Sequence, residues 1–301
     1  MNDQGLLRHV QSLNSWQPAN FTGLYFQDRR YGYLKPAMCE ALRQWPGYFN
    51  IDDDRVELNP GLDSFKQRTS VFEEVTTALV TQGVISHAHG ERYPVTCSGR
   101  ETAIATIDRT AAPYFGLRAY GQHLNGFVRT PDGLKLWIAR RAADRRVFPN
   151  MLDNMVAGGL PHDFTLDENL RKECMEEASV SAELAATAQP VGALSYCKET
   201  AVGLKPDTLY CYDLELPADF QPSNSDGEVA EFNLLPVQEV LALVRDTDDF
   251  KPNCNLVLID FFIRHGILNP EAPGWRSSAW YRCPNFTLPR SSSRQPMSSS
   301  G

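Results

Sequence analysis

The chain has 301 residues, 42% hydrophobic and 22% charged, enough for one or two domains with real cores. Its net charge of −8 argues against a general binder of the nucleic-acid backbone, although an acidic protein can still take anions through a bound metal ion. No apolar run has membrane-spanning length, and the N-terminus MNDQGLLRHVQSLNSW lacks the features of a secretory leader or an Arg- and Ser-rich transit peptide, so a cytoplasmic protein is expected.

In chain order, FTGLYFQ and RYGYLK read as a hairpin around the polar turn at Asp28 to Arg30. PAMCEALRQW reads as a helix with Pro36 in its first turn. YFNI and RVELN flank Asp52, Asp53 and Asp54, which suit a solvated hairpin turn better than a cation site. SVFEEVTTALVTQG has helical spacing and stops at Gly83. His87 and His89 lie two apart with no third ligand nearby, so SHAHG is expected to be a polar loop.

A second unit starts near Tyr120. HLNGFVRT and LKLWIARRA are strand-like, joined by a turn at Pro131, Asp132 and Gly133. MLDNMVAGG follows, then a helix, then the strands PVGALSYC, TLYCYDLEL and VAEFNLL. Pro236 opens a helix over VQEVLALV, and NLVLIDFFIRHG forms a last helix ending at Gly266. From about Pro284 the composition cannot bury a core, and a disordered tail is expected. The seven cysteines include no CxxC pair, which argues for buried free thiols rather than a zinc site or a redox dithiol.

The stretch AGGLPHDFTLDENLRKECMEEASV carries the chemistry. Thr165 and Glu168 make a capping box, so a helix starts there. Leu166, Leu170 and Cys174 form an apolar stripe, while Glu173, Glu176 and Glu177 span an arc of roughly 100° bordering it. Like charges at i and i+4 cost about 0.2–0.5 kcal/mol per pair, more where water is excluded. A divalent cation on hard oxygen ligands, Mg2+ or Mn2+, offsets that cost. An exposed acidic face balanced by Arg171 and Lys172 is the alternative. Gly158 and Gly159 leave room for close backbone approach to a ligand just before the helix.

This stretch resembles the box of the Nudix hydrolase superfamily, G-x5-E-x7-R-E-U-x-E-E-x-G-U. Gly158 falls on the box glycine, Lys172 on the arginine, Glu173, Glu176 and Glu177 on the helix glutamates, and Val180 on the last aliphatic. Phe164 replaces the first glutamate, Cys174 an aliphatic and Ser179 the closing glycine, which leaves the number of metal ions open. From about Asn20 to Pro270, including ELNP, ERYPV, FPNMLDNMVAGGLP, LYCYDLELP and LVLIDFFIRHGIL, the chain is similar to one plant and fungal subgroup. That subgroup carries an N-terminal domain associated with thiamin pyrophosphokinase.

The resemblance implies an α+β protein. A small α/β N-terminal domain (1–115) precedes a Nudix domain (116–270) with a mixed sheet between helices, and a C-terminal extension (271–301) follows. It implies a pyrophosphatase that converts oxo and oxy forms of thiamin diphosphate to the monophosphate, with another nucleoside or cofactor diphosphate, or an inactive binding module, as alternatives. The implied metal ligands are Glu173, Glu176 and Glu177, with the Gly158 or Gly159 carbonyl adding another. For Glu228, a catalytic base and a structural turn stand side by side, with Glu231 behind it. Arg140 and Arg141 are read as phosphate ligands or a surface pair, Tyr196 and Trp137 as ring-stacking or core residues. Lys172 is read on the substrate side and His162 as a weak candidate acid. The expected partner is a small-molecule diphosphate, with no nucleic acid or membrane. The N-terminal domain is expected to cover one side of the pocket or to make a homodimer contact.

Overall fold

The structure, a computed structural model, describes residues 4–269 and Glu271; the expected disordered tail lies outside the described residues. Helix α1 (Gln4–Leu13) leads into strands β1 (Thr22–Phe26) and β2 (Arg29–Leu34). Gln27 and Asp28 between them both have left-handed backbones, at φ 48° and 62°, so the expected hairpin closes through a two-residue turn that matches strand twist. Next come α2 (Pro36–Leu42), β3 (Phe49–Ile51), β4 (Arg55–Leu58) and α3 (Phe65–Thr81). Helix α3 begins five residues before its apolar periodicity does, because Ser64 and Gln67 form a reciprocal capping box. Strands β5 (Arg92–Val95) and β6 (Ala105–Asp108) make a separate antiparallel ribbon. The first sheet runs β2-β1-β4-β3, with α3 and the ribbon over a core that includes Leu24, Val56, Phe72, Leu79 and Ile107.

The second sheet is built from β7 (Tyr120–Thr130), β8 (Gly133–Arg141), β9 (Leu152–Asn154), β10 (Val156–Gly159), β11 (Gln189–Glu199), β12 (Leu204–Glu215) and β13 (Val229–Pro236). Its order is β11-β12-β7-β8-β13, with β10 on β7 and β9 on β8. Strands β7 and β12 are parallel and the other pairs antiparallel, so the sheet is mixed. Helices α4 (Leu166–Ala178) and α5 (Ala182–Ala185) cover one face, through Leu170, Cys174 and Ala185 packed with Leu124, Val128, Trp137 and Val156. Helices α6 (Val237–Asp246) and α7 (Pro252–Arg264) cover the other, packing Val240, Val257 and Phe261 with Phe127, Ile138 and Leu209. This is the mixed sheet between helices of the expected α+β class. Two-residue alternation along β7 sends Leu124 and Phe127 to opposite cores.

Helix α1 belongs to that second core, although it comes first in the chain. Leu6, Val10 and Leu13 pack with α6 and α7, and His9 Nε2 lies 2.7 Å from the Val244 carbonyl. Among the described residues no helix is long and apolar enough to cross a membrane, and Cys39, Cys97, Cys174, Cys197, Cys211 and Cys254 are free thiols.

Asp153 on β9 ties this second unit together. One carboxylate oxygen receives Lys251 Nζ at 3.0 Å and Arg141 Nη1 at 3.1 Å; the other receives Cys254 Sγ at 2.7 Å and the Asn154 N–H at 2.9 Å. Burial opposes the ionised form, but Lys251 and its other neighbours hold the Asp153 carboxyl below its usual value. A depressed carboxylate contributes stability in full above about pH 4, the range of a free aspartate, and loses it as pH falls through the folded value. Asp153→Asn leaves two largely buried cations uncompensated and is expected to cost about 3–5 kcal/mol in denaturant unfolding, with a smaller loss of stability on acidification than in the parent chain. A cost below about 1 kcal/mol would show that the cations find other partners.

Candidate active site

Helix α4 starts at the Thr165–Glu168 capping box, with the Glu168 N–H 3.2 Å from Thr165 Oγ1 and the Thr165 N–H 2.9 Å from Glu168 Oε2. Its apolar stripe seats against β10, which fixes how far each glutamate is withdrawn from water. The Glu177 residue is 7% exposed, whereas the Glu173 and Glu176 side chains are 13% and 44% exposed. Three like charges therefore run from the interior to the surface along one flank.

Glu177 Oε2 accepts the Ala157 N–H at 2.8 Å. Burial pushes its carboxyl up to about 8, and the neighbouring Glu173 charge adds to the shift. Burial also raises Glu173, with Lys172 opposing. Lys172 Nζ reaches Glu176 Oε2 at 2.7 Å and Glu173 Oε1 at 3.2 Å. One ammonium thus serves two carboxylates, and the third sits behind them on a single backbone donor.

The double glycine makes room for protein side chains on both sides of β10. A Cβ on Gly158 would lie 2.4 Å from the Glu173 carboxyl carbon; one on Gly159 would lie 2.3 Å from Tyr93 Oη and 2.9 Å from Arg109 Nη1. The sequence suggested backbone approach to a ligand, and the structure replaces that reason with these two contacts. The Gly159 carbonyl already accepts Asn169 Nδ2 at 2.9 Å, which leaves it one lone pair as a metal ligand.

Ser179, in place of the box glycine, takes the left-handed C-cap at φ 52°. Its hydroxyl donates to the Ser223 carbonyl at 2.7 Å and accepts from Ser223 Oγ at 2.9 Å. Ser225 N–H and Oγ donate to the Glu176 carbonyl at 3.1 and 2.9 Å. The loop carrying Glu228 is thereby fastened to the C-terminal end of the glutamate helix. Glu228 itself pairs with Arg145 at 2.8 Å, and its N–H donates to Asp226 Oδ1.

Other candidates are spent elsewhere. Arg141 binds Asp153 and the Phe148 and Val147 carbonyls, so it serves the fold and is withdrawn as a phosphate ligand. Arg140 pairs with Glu231 at 2.7 Å and with the Asn150 carbonyl, which occupies both residues. Tyr196 is buried in the core on the face opposite α4, its hydroxyl on Asp207 at 2.7 Å, and Trp137 is buried on the α4 face. Burial leaves neither ring a face for stacking. His162 stacks on Phe65 at 5.5 Å and its N–H donates to the Arg92 carbonyl, a structural role. Sequence reasoning assigned no site role to Glu91, Tyr93 and Arg109; the alternation of Glu91 and Tyr93 in ERYPV was the available signal.

Two groups invite a metal ion. Among the described residues His123, Asp153 and Cys254 bring ligand atoms within 4.8 Å of one another, all buried. Asp153 there already has four donors, two of them cations; burial pushes the His123 imidazole down to about 4, and burial holds the Cys254 thiol protonated. A cation would displace satisfied partners. The α4 glutamates are not drawn together so tightly, but they hold three hard carboxylates against one lysine, with a desolvated acid at the centre. Their donor set and unbalanced charge fit a divalent cation.

A family described as a domain of unknown function (DUF4743) matches residues 5–119. Nudix hydrolase 24 of Arabidopsis thaliana, a chloroplastic protein, is 43% identical over 258 residues, covering 85% of this chain and 70% of the relative. The chain belongs to the Nudix hydrolases. A second chloroplastic relative, Nudix hydrolase 20 of the same plant, is 40% identical, covering 85% of this chain and 71% of that protein. An uncharacterised protein of Saccharomyces cerevisiae is 33% identical, covering 74% of this chain and 69% of the relative. A solved structure from Deinococcus radiodurans covers 56% of this chain and 98% of its own, at 24% identity and a TM-score of 0.43. As a Nudix hydrolase the protein is an enzyme.

The expected cytoplasmic location is overturned by these plant relatives, both chloroplastic. Within that segment Gln4–Leu13 fold as α1 and pack Leu6, Val10 and Leu13 into the core, so their composition reports packing.

Gly158→Ala in this Nudix hydrolase drives the Glu173 side chain aside while leaving the strand intact. Turnover is expected to fall by about a hundredfold, with little change in thermal midpoint, because displacement of a reacting group by about 1 Å has that effect. Activity within twofold of the parent would show that Glu173 tolerates the shift.

Proposed function

We propose that this hydrolase cleaves a diphosphate linkage at the α4 glutamates with Mg2+ or Mn2+, and that its substrates are the oxo and oxy forms of thiamin diphosphate, released as the monophosphate plus phosphate. The observation that carries the reaction is Glu177, a buried carboxylate beside a second one, with one backbone donor and a carboxyl pushed up to about 8. The thiamin assignment rests on the sequence resemblance from about Asn20 to Pro270, and the N-terminal match over 5–119 is compatible with it. In this reading residues 1–115 and 116–270 are the two domains, with α1 docked across onto the second, and 271–301 an extension.

Glu173 and Glu177 would hold the cation, with Glu176 beside them at the surface. When bound, the cation neutralises phosphate charge and lowers the pKa of a coordinated water. Lys172 orients Glu173 and Glu176, so that the glutamates are set before substrate arrives. Glu228 takes the proton from the attacking water; Arg145 pairs with it at 2.8 Å and the Ser179–Ser223 contacts hold its loop. The hydrophobic seam beneath Glu177 excludes bulk water from the innermost ligand.

The test is release of monophosphate from thiamin diphosphate, its oxo and oxy derivatives, ADP-ribose and nucleoside diphosphates, each with Mg2+, with Mn2+ and with chelator. Turnover should be highest on the oxidised thiamin forms and vanish with chelator. Glu177→Gln should lower kcat by at least about a hundredfold. A preference for ADP-ribose or nucleotides would overturn the substrate, and undiminished turnover in chelator would overturn the metal.

A further inference from the structure

The separate β5–β6 ribbon brings three side chains to this site. Its register pairs Arg92 with Asp108, and the Arg109 N–H bonds the Glu91 carbonyl at 2.9 Å, so Glu91 and Arg109 stand opposite one another just past the ribbon end. Tyr93, two residues on from Glu91, shares its face. Arg109 Nη1 lies 2.8 Å from Glu91 Oε2, and its guanidinium sits over the Tyr93 ring at 5.7 Å. The glycine at 159 is what lets Arg109 and Tyr93 press against the end of β10. Burial raises the Tyr93 phenol, Arg109 opposes, and the charges of Glu91, Asp207 and Glu173 add, which sets the ribbon beside the metal helix. The ribbon is locked to the loop before α4 as well: the His162 N–H donates to the Arg92 carbonyl at 2.7 Å, and Arg100 Nη2 to the Phe164 carbonyl at 2.9 Å.

A diphosphate needs more positive charge than Lys172 supplies, because that ammonium is divided between two glutamates. Arg141 is turned into the fold, and Arg140 is paired with Glu231 and the Asn150 carbonyl. Arg109 differs from both. Its guanidinium lies against Gly159, next to the Gly158 that faces Glu173, and of its five N–H donors Glu91 takes those of one nitrogen. Its fork geometry suits two phosphate oxygens at once.

We propose that Arg109, presented by the β5–β6 ribbon and positioned by Glu91, binds the phosphate of the diphosphate substrate, so that the ribbon before residue 116 supplies part of the binding site. This rests on reading the α4 glutamates as a diphosphate-cleaving centre. Tyr93 fixes the plane of the guanidinium from beneath.

The experiment uses the full chain and two probes: Mn2+ alone, followed by electron paramagnetic resonance, and methylenediphosphonate with Mg2+, followed by calorimetry. Arg109→Ala should weaken methylenediphosphonate by about ten- to a hundredfold, the range for losing a charge-assisted contact, while Mn2+ affinity stays within about twofold. Arg109→Lys keeps the charge and the Glu91 pairing but loses the fork, and should weaken the diphosphonate by a smaller factor. If Arg109→Ala does not fold, Arg109→Lys decides. Unchanged diphosphonate affinity in either folded variant, or no diphosphonate binding by the parent chain, overturns the proposal. Loss of Mn2+ binding on Arg109→Ala also overturns it, since a purely structural role then explains the result. Failure of the cleavage reading shows separately, as undiminished turnover in chelator or in Glu177→Gln.

Discussion

A carboxylate withdrawn from water beside another carboxylate is the constraint on which this site turns. Glu177 lies on the seam where α4 meets β10, so the packing that stabilises the helix also desolvates the acid. Its neighbours follow from that placement. The Ala157 N–H faces it, Gly158 lacks a Cβ so that Glu173 can stand beside it, and Lys172 holds the two outer carboxylates. Without a counter-charge the arrangement favours a proton on Glu177 at neutral pH; in the proposed reaction a divalent cation would make the same carboxylates its ligands.

The Asp153 cluster is the useful contrast. It too gathers acid, histidine and thiol in the interior, and more tightly. Four donors, two of them cations, satisfy its one carboxylate, so it ties β9 to α7 and leaves no charge for a ligand to cancel. Proximity of ligating residue types distinguishes the clusters less well than their net charge does. Stability favours the first arrangement, and function needs the second.

Departures from the box make physical sense once neighbours are known. Ser179 accepts a left-handed backbone that suits glycine better, and its hydroxyl ties down the loop of Glu228. Phe164, where the box has its first glutamate, is 37% exposed, and its carbonyl receives Arg100 from the turn between β5 and β6. The chain before residue 116 therefore supports the site's entrance loop directly, and Glu91, Tyr93 and Arg109 extend that contact to β10.

Local patterns determined much of this protein in advance. The capping box at Thr165, the stripe of Leu170 and Cys174, the three glutamates on its border, the hairpin turns and the helix-ending glycines are all short-range features, and a 3.6-residue or two-residue period reveals them. Leu6, Val10 and Leu13 carry the same helical spacing in α1. Only the tertiary structure decided which partners several charged residues take. Arg140, Arg141 and Arg109 are alike in sequence, but the partners that claim the first two stand from 6 to 91 positions away, while Arg109 reaches β10 from 50 positions earlier in the chain. A side chain's charge is written in the sequence; what neutralises it depends on contacts that the chain makes only when its distant segments meet.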